Sequence, residues 1–533
     1  MTDYDVIVIG GGHNGLTCGA YLAQAGLKVA VLEKRGVVGG AAITEEFHPG
    51  FRNSVYSYSV SLLHPQVIRD LRLERHGLEI LERPAGTLSL LNGDHLLLSR
   101  DAQQARQEIA RFSKHDAMRI DAFEEEISTV ALAMRRIAAS APPGLNGGWA
   151  DLFRLGSTGW GLRQLTGNQR TVLAELMTKS LGDYLDRWFE GASLKGILGL
   201  EGVIGNFADP YQQGTAYVLL HHAFGEVNGR TGAWGIAKGG MGAITQAMAD
   251  ALTSAQGTIE TACAVQELLI DEHKGGYRVR GVVLADGRKL QASAVVGGVH
   301  PQTLLLKMGA AEFLSDADRR RIEGYRSHSA TFRMNVALAE LPKFESLPPT
   351  ATEHFLGAIE ISPSLEYLST AFSDAKRSGW SQQPVISMQV PSTQDNTLAP
   401  AGAHVASLFC QHFQRYLPDG QSWDTVKESV ADHVIATVDA YAPNFKASVL
   451  ARQIKSPLDI ERDLGMVGGD IFHGTLHLDQ IYSLRPIPGW AGYRMPLERL
   501  YLCGSGAHPG GGVTGLPGKN AARKILSDRK AWV

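Results

Sequence analysis

The residues with the clearest chemical potential lie near the start of the 533-residue sequence. Gly10-Gly11-Gly12-His13-Asn14-Gly15 follows an apolar run, residues 5–9, and precedes a helical stretch. In such a turn Gly10 reverses the chain, Gly12 leaves room for a pyrophosphate, and Gly15 lets helix and strand pack closely. The N–H groups and positive dipole at the start of the helix attract phosphate. The spacing therefore predicts a dinucleotide-binding turn.

A carboxylate stands where the ribose of a dinucleotide is expected. Residues 27–32 form a second apolar run, which completes a β-α-β unit, and Glu33 follows it directly. We expect Glu33 to accept hydrogen bonds from the ribose hydroxyls, and we include Lys34 in the same cofactor site. Because a carboxylate there repels a 2′-phosphate, Glu33 argues against NADP.

A second glycine pair, Gly39-Gly40, follows Glu33 at short distance and precedes Ala41. The sequence from Gly10 to Glu33, followed by this pair, is similar to the FAD-binding head of the amine oxidase and phytoene desaturase superfamily. The resemblance implies that Gly39, Gly40 and Ala41 lie at the cofactor. Ala41 stands where the superfamily usually has an arginine, so the phosphate contact of that arginine is not expected here.

Another glycine-dense segment closes the chain. The segment is Cys503-Gly504-Ser505-Gly506-Ala507-His508-Pro509-Gly510-Gly511-Gly512-Val513-Thr514-Gly515, and a helical stretch with Pro517 in its first turn follows. It resembles the closing flavin motif of phytoene desaturases, which implies that Gly504, Gly512, Val513 and Gly515 contact FAD. A helix that begins near the flavin pyrimidine ring would stabilise negative charge on the reduced cofactor.

The middle of the chain fits the same plan. Gly239-Gly240-Met241 opens into a helical stretch, and strand-like runs follow over 264–296 with a turn at Asp286-Gly287. These segments resemble the superfamily's second pass through its cofactor domain, which implies that Val265 holds the adenine through its backbone. Within the superfamily, residues 469–474 and the closing segment look most similar to the pyridine nucleotide-disulphide oxidoreductase domain-containing protein 2 group.

The resemblance implies an α/β fold: a discontinuous Rossmann-like FAD-binding domain of the glutathione reductase type, with an interleaved α+β substrate domain. We assign residues 1–65, 230–305 and 470–533 to the FAD-binding domain. Residues 66–229 and 306–469 are assigned to the substrate-binding domain. Within the latter, apolar residues recur every three to four positions over 170–190, which predicts one helix face.

Candidates for the catalytic chemistry come from the last part of the chain. His508 could face the flavin or the substrate, or could be a structural histidine bonded to backbone. His473 and Tyr482 could line the substrate face, with a role in core packing as the alternative.

Earlier segments add weaker candidates. Arg52 and Tyr56 follow the second glycine pair and could border the ring, although surface or packing roles fit equally well. The adjacent His221 and His222 are not spaced as ligands on one helix face, so we expect them in the core or in solvent.

Composition and charge argue against several classes of protein. The 51 Lys and Arg residues against 54 Asp and Glu give a net charge of -3, without the basic excess of a nucleic-acid-binding surface. The 4 cysteines form no C-x-x-C pair, so we expect buried reduced thiols and no metal site. The start of the chain and the lack of long apolar runs predict a cytoplasmic protein without signal peptide or transmembrane helix. Peripheral contact with a membrane stays open.

No second glycine-rich turn of this kind occurs, so we expect no separate nicotinamide domain. Electrons would then enter from an organic substrate and leave to oxygen, a quinone or another protein. The leading hypothesis is an FAD-dependent oxidoreductase, a phytoene dehydrogenase-like dehydrogenase or desaturase, that moves a hydride from a small hydrophobic substrate to flavin N5. The alternatives are a flavin amine oxidase and a flavoprotein with a mainly regulatory or interaction role.

Overall fold

The two glycine-dense ends of the chain meet in one sheet. The computed structural model describes residues 2–144, 156, 159, 162–328, 330–530 and 532. In it the strand Tyr4–Ile9 pairs in parallel with Val29–Leu32 on one side and with Lys289–Gly297 on the other. Leu500–Leu502 pairs in parallel with the end of Lys289–Gly297, and Thr258–Glu260 extends the opposite edge. These strands form the first sheet.

The inner parts of the central parallel strands are covered on both faces, which explains why residues 6–9 and 29–32 are apolar. Val6, Ile7 and Val8 are fully buried. The first helix, His13–Gln24, packs closely against the last helix, Leu516–Arg529, because Gly518 leaves no side chain between them. The prediction that the two ends of the chain come together is confirmed.

An antiparallel meander continues the first sheet on one side. Val265–His273 pairs with Gly276–Leu284, which in turn pairs with the beginning of Lys289–Gly297. The predicted turn joins the last two strands, and the Arg288 N–H donates to the Asp286 carboxylate across 2.9 Å. Three predicted strands of the middle segment are therefore present.

A second sheet is largely antiparallel. Its strands within the described residues are, in spatial order, Val449–Lys455, Thr331–Leu338, His404–Phe413, Trp380–Gln389, Ala358–Ile361, Thr87–Leu90 and His95–Leu98. On the strand Thr331–Leu338, the side chains of Phe332, Met334 and Val336 pack into a hydrophobic core. Since side chains alternate along a strand, Thr331 and Arg333 lie on the opposite face, toward the first sheet's helices and loops.

The helical region departs from the sequence prediction at one point. Over 170–190 the structure has two helices, Gly167–Thr178 and Leu181–Trp188, so the prediction of one helix face is wrong there. Ser180 separates them, because its hydroxyl accepts a hydrogen bond from the Asp183 N–H at 3.0 Å and caps the second helix. The apolar side chains of both helices enter one core, which is why their spacing looks continuous.

The remaining elements complete an α/β architecture that confirms the predicted fold class. The further helices are Pro65–Leu71, Ala102–Ala110, Lys114–Ala138, Ala192–Val203, Ala216–His222, Gly242–Ser254, Asp316–Glu323, Leu365–Ser378, Trp423–Asp439, Phe445–Ser448 and Pro457–Leu464. Short strand pairs are Thr44–His48 with Phe51–Ser54, Ile80–Glu82 with Gly235–Ala237, and Glu226–Val227 with Arg230–Thr231. The division into the two predicted domains stays a prediction.

The cysteines and the helix lengths agree with the sequence expectations. Cys18, Cys263, Cys410 and Cys503 are all buried with free thiols. Among the described helices, none combines the length and the apolar character that crossing a bilayer requires.

Candidate active site

The glycine turn has the geometry that its sequence predicts. Gly10 has φ +98°, a conformation that residues with side chains rarely adopt, and its N–H donates to the Leu32 carbonyl at 2.8 Å. A Cβ on Gly15 would overlap the Gly10 carbonyl oxygen, so only glycine allows the helix to begin this close to the strand. The first turn of that helix contains no acidic residue and no side-chain cap. Its N–H groups are thus free to bind an anion.

Glu33 is buried at the end of the second strand and faces the turn. Its Oε2 accepts a hydrogen bond from the Gly11 N–H at 2.8 Å, and its Oε1 accepts one from the Arg35 N–H at 2.9 Å. Each carboxylate oxygen can accept a further hydrogen bond. Glu33 can therefore hold the loop and receive ribose hydroxyls at the same time.

A first cavity of about 1130 Å³ opens along this turn. The predicted cofactor residues that line it are Gly10, Gly12, His13, Asn14, Gly15, Glu33, Lys34, Gly40, Ala41 and Val265. Val265 begins its strand beside Glu33, at the adenosine end that the resemblance implies. The first cavity thus gathers most of the residues predicted for one half of a dinucleotide.

Three predicted cofactor glycines lie behind the cavity instead. The Gly39 N–H donates to the Gly11 carbonyl at 2.9 Å, and the Gly504 N–H donates to the Gly297 carbonyl at 3.2 Å. Gly515 precedes the last helix with φ +70°. Their place in the structure is close packing of loop and strand, while direct contact with a cofactor stays a prediction.

A second cavity continues from the first. Four residues line both: His13, Ala41, Met466 and Ser505. Gly512 and Val513 of the closing segment line the second cavity, and their contact with FAD stays a prediction. Much of the remaining wall is apolar and includes Val60, Leu62, Ile204, Met241, Ile244, Phe409, Ile460, Ile471 and Phe472.

The junction of the two cavities presents buried polar atoms that lack a partner. The Nε2 atom of His13 and the Oδ1 atom of Asn14 have no hydrogen-bond partner among the described residues, while Asn14 Nδ2 donates to Ser505 Oγ at 3.2 Å. Burial lowers the pKa of His13 to about 4, so its ring is neutral at pH 7. Unsatisfied polar atoms of this kind fit a ligand that passes from one cavity into the other.

The three catalytic candidates separate in the structure. His473 lines the first cavity, where burial lowers the pKa of its ring to about 3. Its carbonyl accepts a hydrogen bond from the Tyr325 hydroxyl at 2.7 Å. His473 therefore lies at the first cavity, and its role on a substrate face stays a prediction.

The structure places His508 and Tyr482 away from the two cavities. The His508 ring packs on the Tyr482 ring, with centroids 5.5 Å apart, beside the last carbonyls of the helix Lys114–Ala138. The Tyr493 hydroxyl donates to the His508 carbonyl at 2.9 Å, which holds the closing loop in this orientation. Tyr482 borders an outer groove formed by that helix. Neither of them is among the described residues that line the two cavities.

The structure places the weaker candidates in different environments. Tyr56 lines the second cavity, and its hydroxyl donates to the Asp463 carboxylate at 2.6 Å. Arg52 is exposed on the strand Phe51–Ser54. His222 lines the second cavity, with Nδ1 2.8 Å from the Glu201 carbonyl oxygen, so it is not simply core or solvent.

Sequence reasoning missed the polar residues on the floor of the second cavity. Tyr58, Trp234, Thr331 and Arg333 all line it. A signal was present: Thr331, Arg333 and Asn335 alternate with apolar residues, as side chains on one sheet face do.

One acidic cluster lies elsewhere, on the helical region. His115, Asp116 and Glu190 bring three possible metal-ligand atoms within 4.8 Å of one another. The Asp116 carboxylate already accepts hydrogen bonds from the Glu190 and Gly191 N–H groups, at 2.9 and 2.8 Å. These bonds give the cluster a structural role at the start of a helix, and the absence of a metal site stays a prediction.

Comparisons with known proteins agree with this geometry. Residues 8–72 match the family model described as an NAD(P)-binding Rossmann-like domain, which covers the glycine turn and Glu33. The chain is 40% identical to pyridine nucleotide-disulfide oxidoreductase domain-containing protein 2 of Rattus norvegicus, over 99% of this chain and 94% of that protein.

More distant relatives cover the chain almost completely. A limonene dehydrogenase component of Castellaniella defragrans is 27% identical, over 98% of this chain and 94% of its own. Phytoene desaturase (lycopene-forming) of Pseudescherichia vulneris is 22% identical, over 96% of each chain. The solved structure of cyclohexylamine oxidase from Brevibacterium oxydans has a TM-score of 0.58 at 15% identity, over 99% of this chain and 100% of that one, and shares its fold.

Proposed function

The chain belongs to the family of pyridine nucleotide-disulfide oxidoreductase domain-containing protein 2, and on that premise we propose that this oxidoreductase uses FAD to dehydrogenate or desaturate a hydrophobic organic substrate. The observation that carries the proposal is the pair of joined cavities. One is lined by the glycine turn and Glu33, and the other is lined largely by apolar side chains. A largely apolar cavity beside a dinucleotide site fits a reaction on a hydrophobic substrate.

The family implies a flavin-type cofactor, and we propose FAD. Val265 and Glu33 would hold the adenosine half, and the N–H groups at the start of the first helix would hold the pyrophosphate. Past His13, the closing-segment residues Gly512 and Val513 would border the ring. Gly512 and Val513 line the second cavity and not the first, so the cofactor would have to extend past His13 for its ring to reach them.

The residues of the second cavity would position the substrate and keep the site dry. Bound FAD would supply the acceptor for a hydride at flavin N5. Ile204, Phe409 and Phe472 present apolar surface, which binds a hydrophobic body by removing it from water. Because His13 is neutral at pH 7, it can hydrogen-bond at the junction without adding charge there.

The names of two relatives support a hydrophobic substrate. The limonene dehydrogenase component and phytoene desaturase are named for unsaturated hydrocarbons, and both align over nearly the whole chain. Oxygen, a quinone or a protein would accept the electrons in the second half of the reaction. A regulatory role for the flavoprotein remains the alternative outside catalysis.

Amine oxidation is disfavoured by the charge in the second cavity. Its described lining contains Arg333 and neither an aspartate nor a glutamate. A protonated amine would meet a like charge there without a carboxylate to balance it. This charge distribution favours the dehydrogenase proposal over the flavin amine oxidase alternative.

Anaerobic reduction of the bound flavin tests the proposal. Limonene and other hydrophobic donors should bleach the flavin absorption, whereas a panel of amines should not. Ile204→Trp fills the second cavity and should retain FAD but lose this reduction, while Leu450→Trp, at an exposed position, should behave like wild type. Protein that holds FAD but is reduced by no hydrophobic donor, or one that releases peroxide with amines, would contradict the proposed reaction.

A further inference from the structure

A buried arginine lies on the floor of the second cavity. Arg333 belongs to the strand Thr331–Leu338, pairs in register with Phe409 and Lys455, and is only 1% exposed. It lines the same cavity as His13 and Gly512, which connect that cavity to the glycine turn and the closing segment. The guanidinium therefore lies within the proposed substrate space.

Most of the hydrogen-bonding capacity of Arg333 is unused. Nη2 donates to Ser407 Oγ at 2.6 Å, but Nε and Nη1 have no partner among the described residues. These two nitrogens carry three of the five N–H donors of an arginine. The Tyr58 ring lies 4.4 Å from the guanidinium, and no described aspartate or glutamate forms an ion pair with it. Burial lowers its pKa only to about 10, so the group is a cation at pH 7.

Another buried arginine shows how this fold satisfies a guanidinium with a structural role. Arg485 is 0% exposed, and it ties the closing loop together. It donates to the backbone carbonyls of Phe472, Gly474, Gln480 and Ser505. Arg333 has no comparable set of carbonyls among the described residues. A buried charge without partners is costly, so its retention at the cavity surface indicates a ligand that balances it.

We propose that Arg333 binds a carboxylate of the substrate, so that the oxidised molecule is an amphipathic carboxylic acid with an apolar body. This inference rests on the proposed function and narrows its substrate class. A single cation matches the single charge of a carboxylate, and arginine binds carboxylates through paired N–H donors. The apolar wall formed by Ile204, Phe409 and Phe472 then holds the body of the same molecule.

The position of the arginine would also restrict how the substrate binds. Arg333 would hold the head group on the second sheet, and Gly512 and Val513 of the closing segment line the same cavity. Which carbon of the body is oxidised then depends on its distance from the carboxylate. Hydrocarbons without a head group lack this constraint.

Binding of a matched pair of probes tests the assignment. Octanoate and octanamide have the same carbon skeleton and differ in charge. By calorimetric titration of the FAD-containing protein, wild type should bind octanoate at least about 30-fold more tightly than octanamide. Arg333→Met should lose that preference, with octanamide affinity changed by less than about threefold, and Arg333→Lys should keep part of it. Arg230→Met, at an exposed site, should match wild type.

Several results would overturn the inference. Equal affinities of wild type for the two probes would do so, as would an octanoate preference that survives Arg333→Met. If Arg333→Met loses FAD or shifts the flavin spectrum before any probe is added, the arginine serves the cofactor instead. If Arg333→Met does not fold, the ratio of octanoate affinity to octanamide affinity still tests the inference, measured in wild type and in Arg333→Lys.

Flavin content and reduction by neutral donors, measured on the same samples, separate this inference from the proposed function. Reduction of wild type by a neutral hydrophobe without any octanoate preference would refute the carboxylate site alone. An octanoate preference in protein that holds no FAD, or whose FAD no donor reduces, would refute the proposed function alone.

Discussion

Replacing Gly15 by alanine tests the glycine turn most severely. A Cβ at this position would overlap the Gly10 carbonyl oxygen and stand 3.2 Å from its carbonyl carbon and 3.4 Å from Val8 Cγ1. The first helix must then move away from the strand, since backbone cannot yield as a flexible side chain can. Overpacking of this kind lowers the free energy of unfolding by about 1–3 kcal/mol.

The same shift withdraws the helix N–H groups from the phosphates of a bound dinucleotide. Loss of one charge-assisted hydrogen bond, about 1.5–3 kcal/mol, weakens FAD binding by about 10- to 150-fold. Titration of flavin-free protein with FAD, followed by flavin fluorescence, measures this change. Gly36→Ala is the matched control, because a Cβ there meets nothing within 4 Å. If Gly15→Ala binds FAD as tightly as that control, the turn does not hold the cofactor.

Three further substitutions probe the packing, the ribose site and the acid sensitivity of the fold. Gly518→Val places side-chain atoms against the Asn14 backbone and should lower the free energy of unfolding by about 1–3 kcal/mol in urea; an unchanged value would contradict the docking of the last helix. Glu33→Gln replaces one acceptor oxygen by a donor facing backbone N–H groups, so FAD affinity should fall about 10-fold, and unaltered binding would remove Glu33 from the site. Burial lowers the pKa of His412 to about 3, so unfolding takes up a proton there below pH 6.5, and this residue contributes about 1.4 kcal/mol per pH unit to the loss of stability as pH drops toward 3. His412→Phe should make the fall in stability between pH 7 and 4 shallower by that amount in urea melts, and parallel curves for the two proteins would contradict this.

The sequence was sufficient where backbone requirements dictate residue type. Gly10 has a positive φ, and Gly15 lies against the backbone of Gly10. Glycine is the residue that meets both requirements, so both positions can be recognised in the sequence. Glu33 could be placed because it ends a strand whose neighbour carries the turn. Val265 could be placed only through the resemblance, since nothing in its own type signals an adenine contact.

The second cavity could not be predicted in the same way, because its lining comes from distant segments. The residues that meet only when the second sheet packs against the loops of the first are Tyr58, His222, Trp234 and Arg333.

His508 shows that a residue within a recognised motif can still be misplaced by sequence reasoning. It lies within the most diagnostic motif, but its side-chain direction is set by contacts of the loop with Tyr493 and with a helix far away in sequence. Proximity in sequence to a motif therefore does not fix the face that a side chain presents.

The helical region shows a further limit of periodicity. Gly167–Thr178 and Leu181–Trp188 share one apolar spacing because both pack into the same core. The break between them is encoded only by the cap at Ser180, whose hydroxyl competes for a backbone N–H. Capping residues, considered together with apolar spacing, predict the break between the two helices.

The flavin content of the purified protein tests most directly whether the two ends of the chain hold one cofactor. The structure joins them through paired strands, the Asn14–Ser505 hydrogen bond and two continuous cavities. We predict visible flavin absorption that corresponds to one FAD per chain, restored on addition of FAD after the cofactor is removed. A colourless protein that takes up no FAD from excess would contradict the central claim.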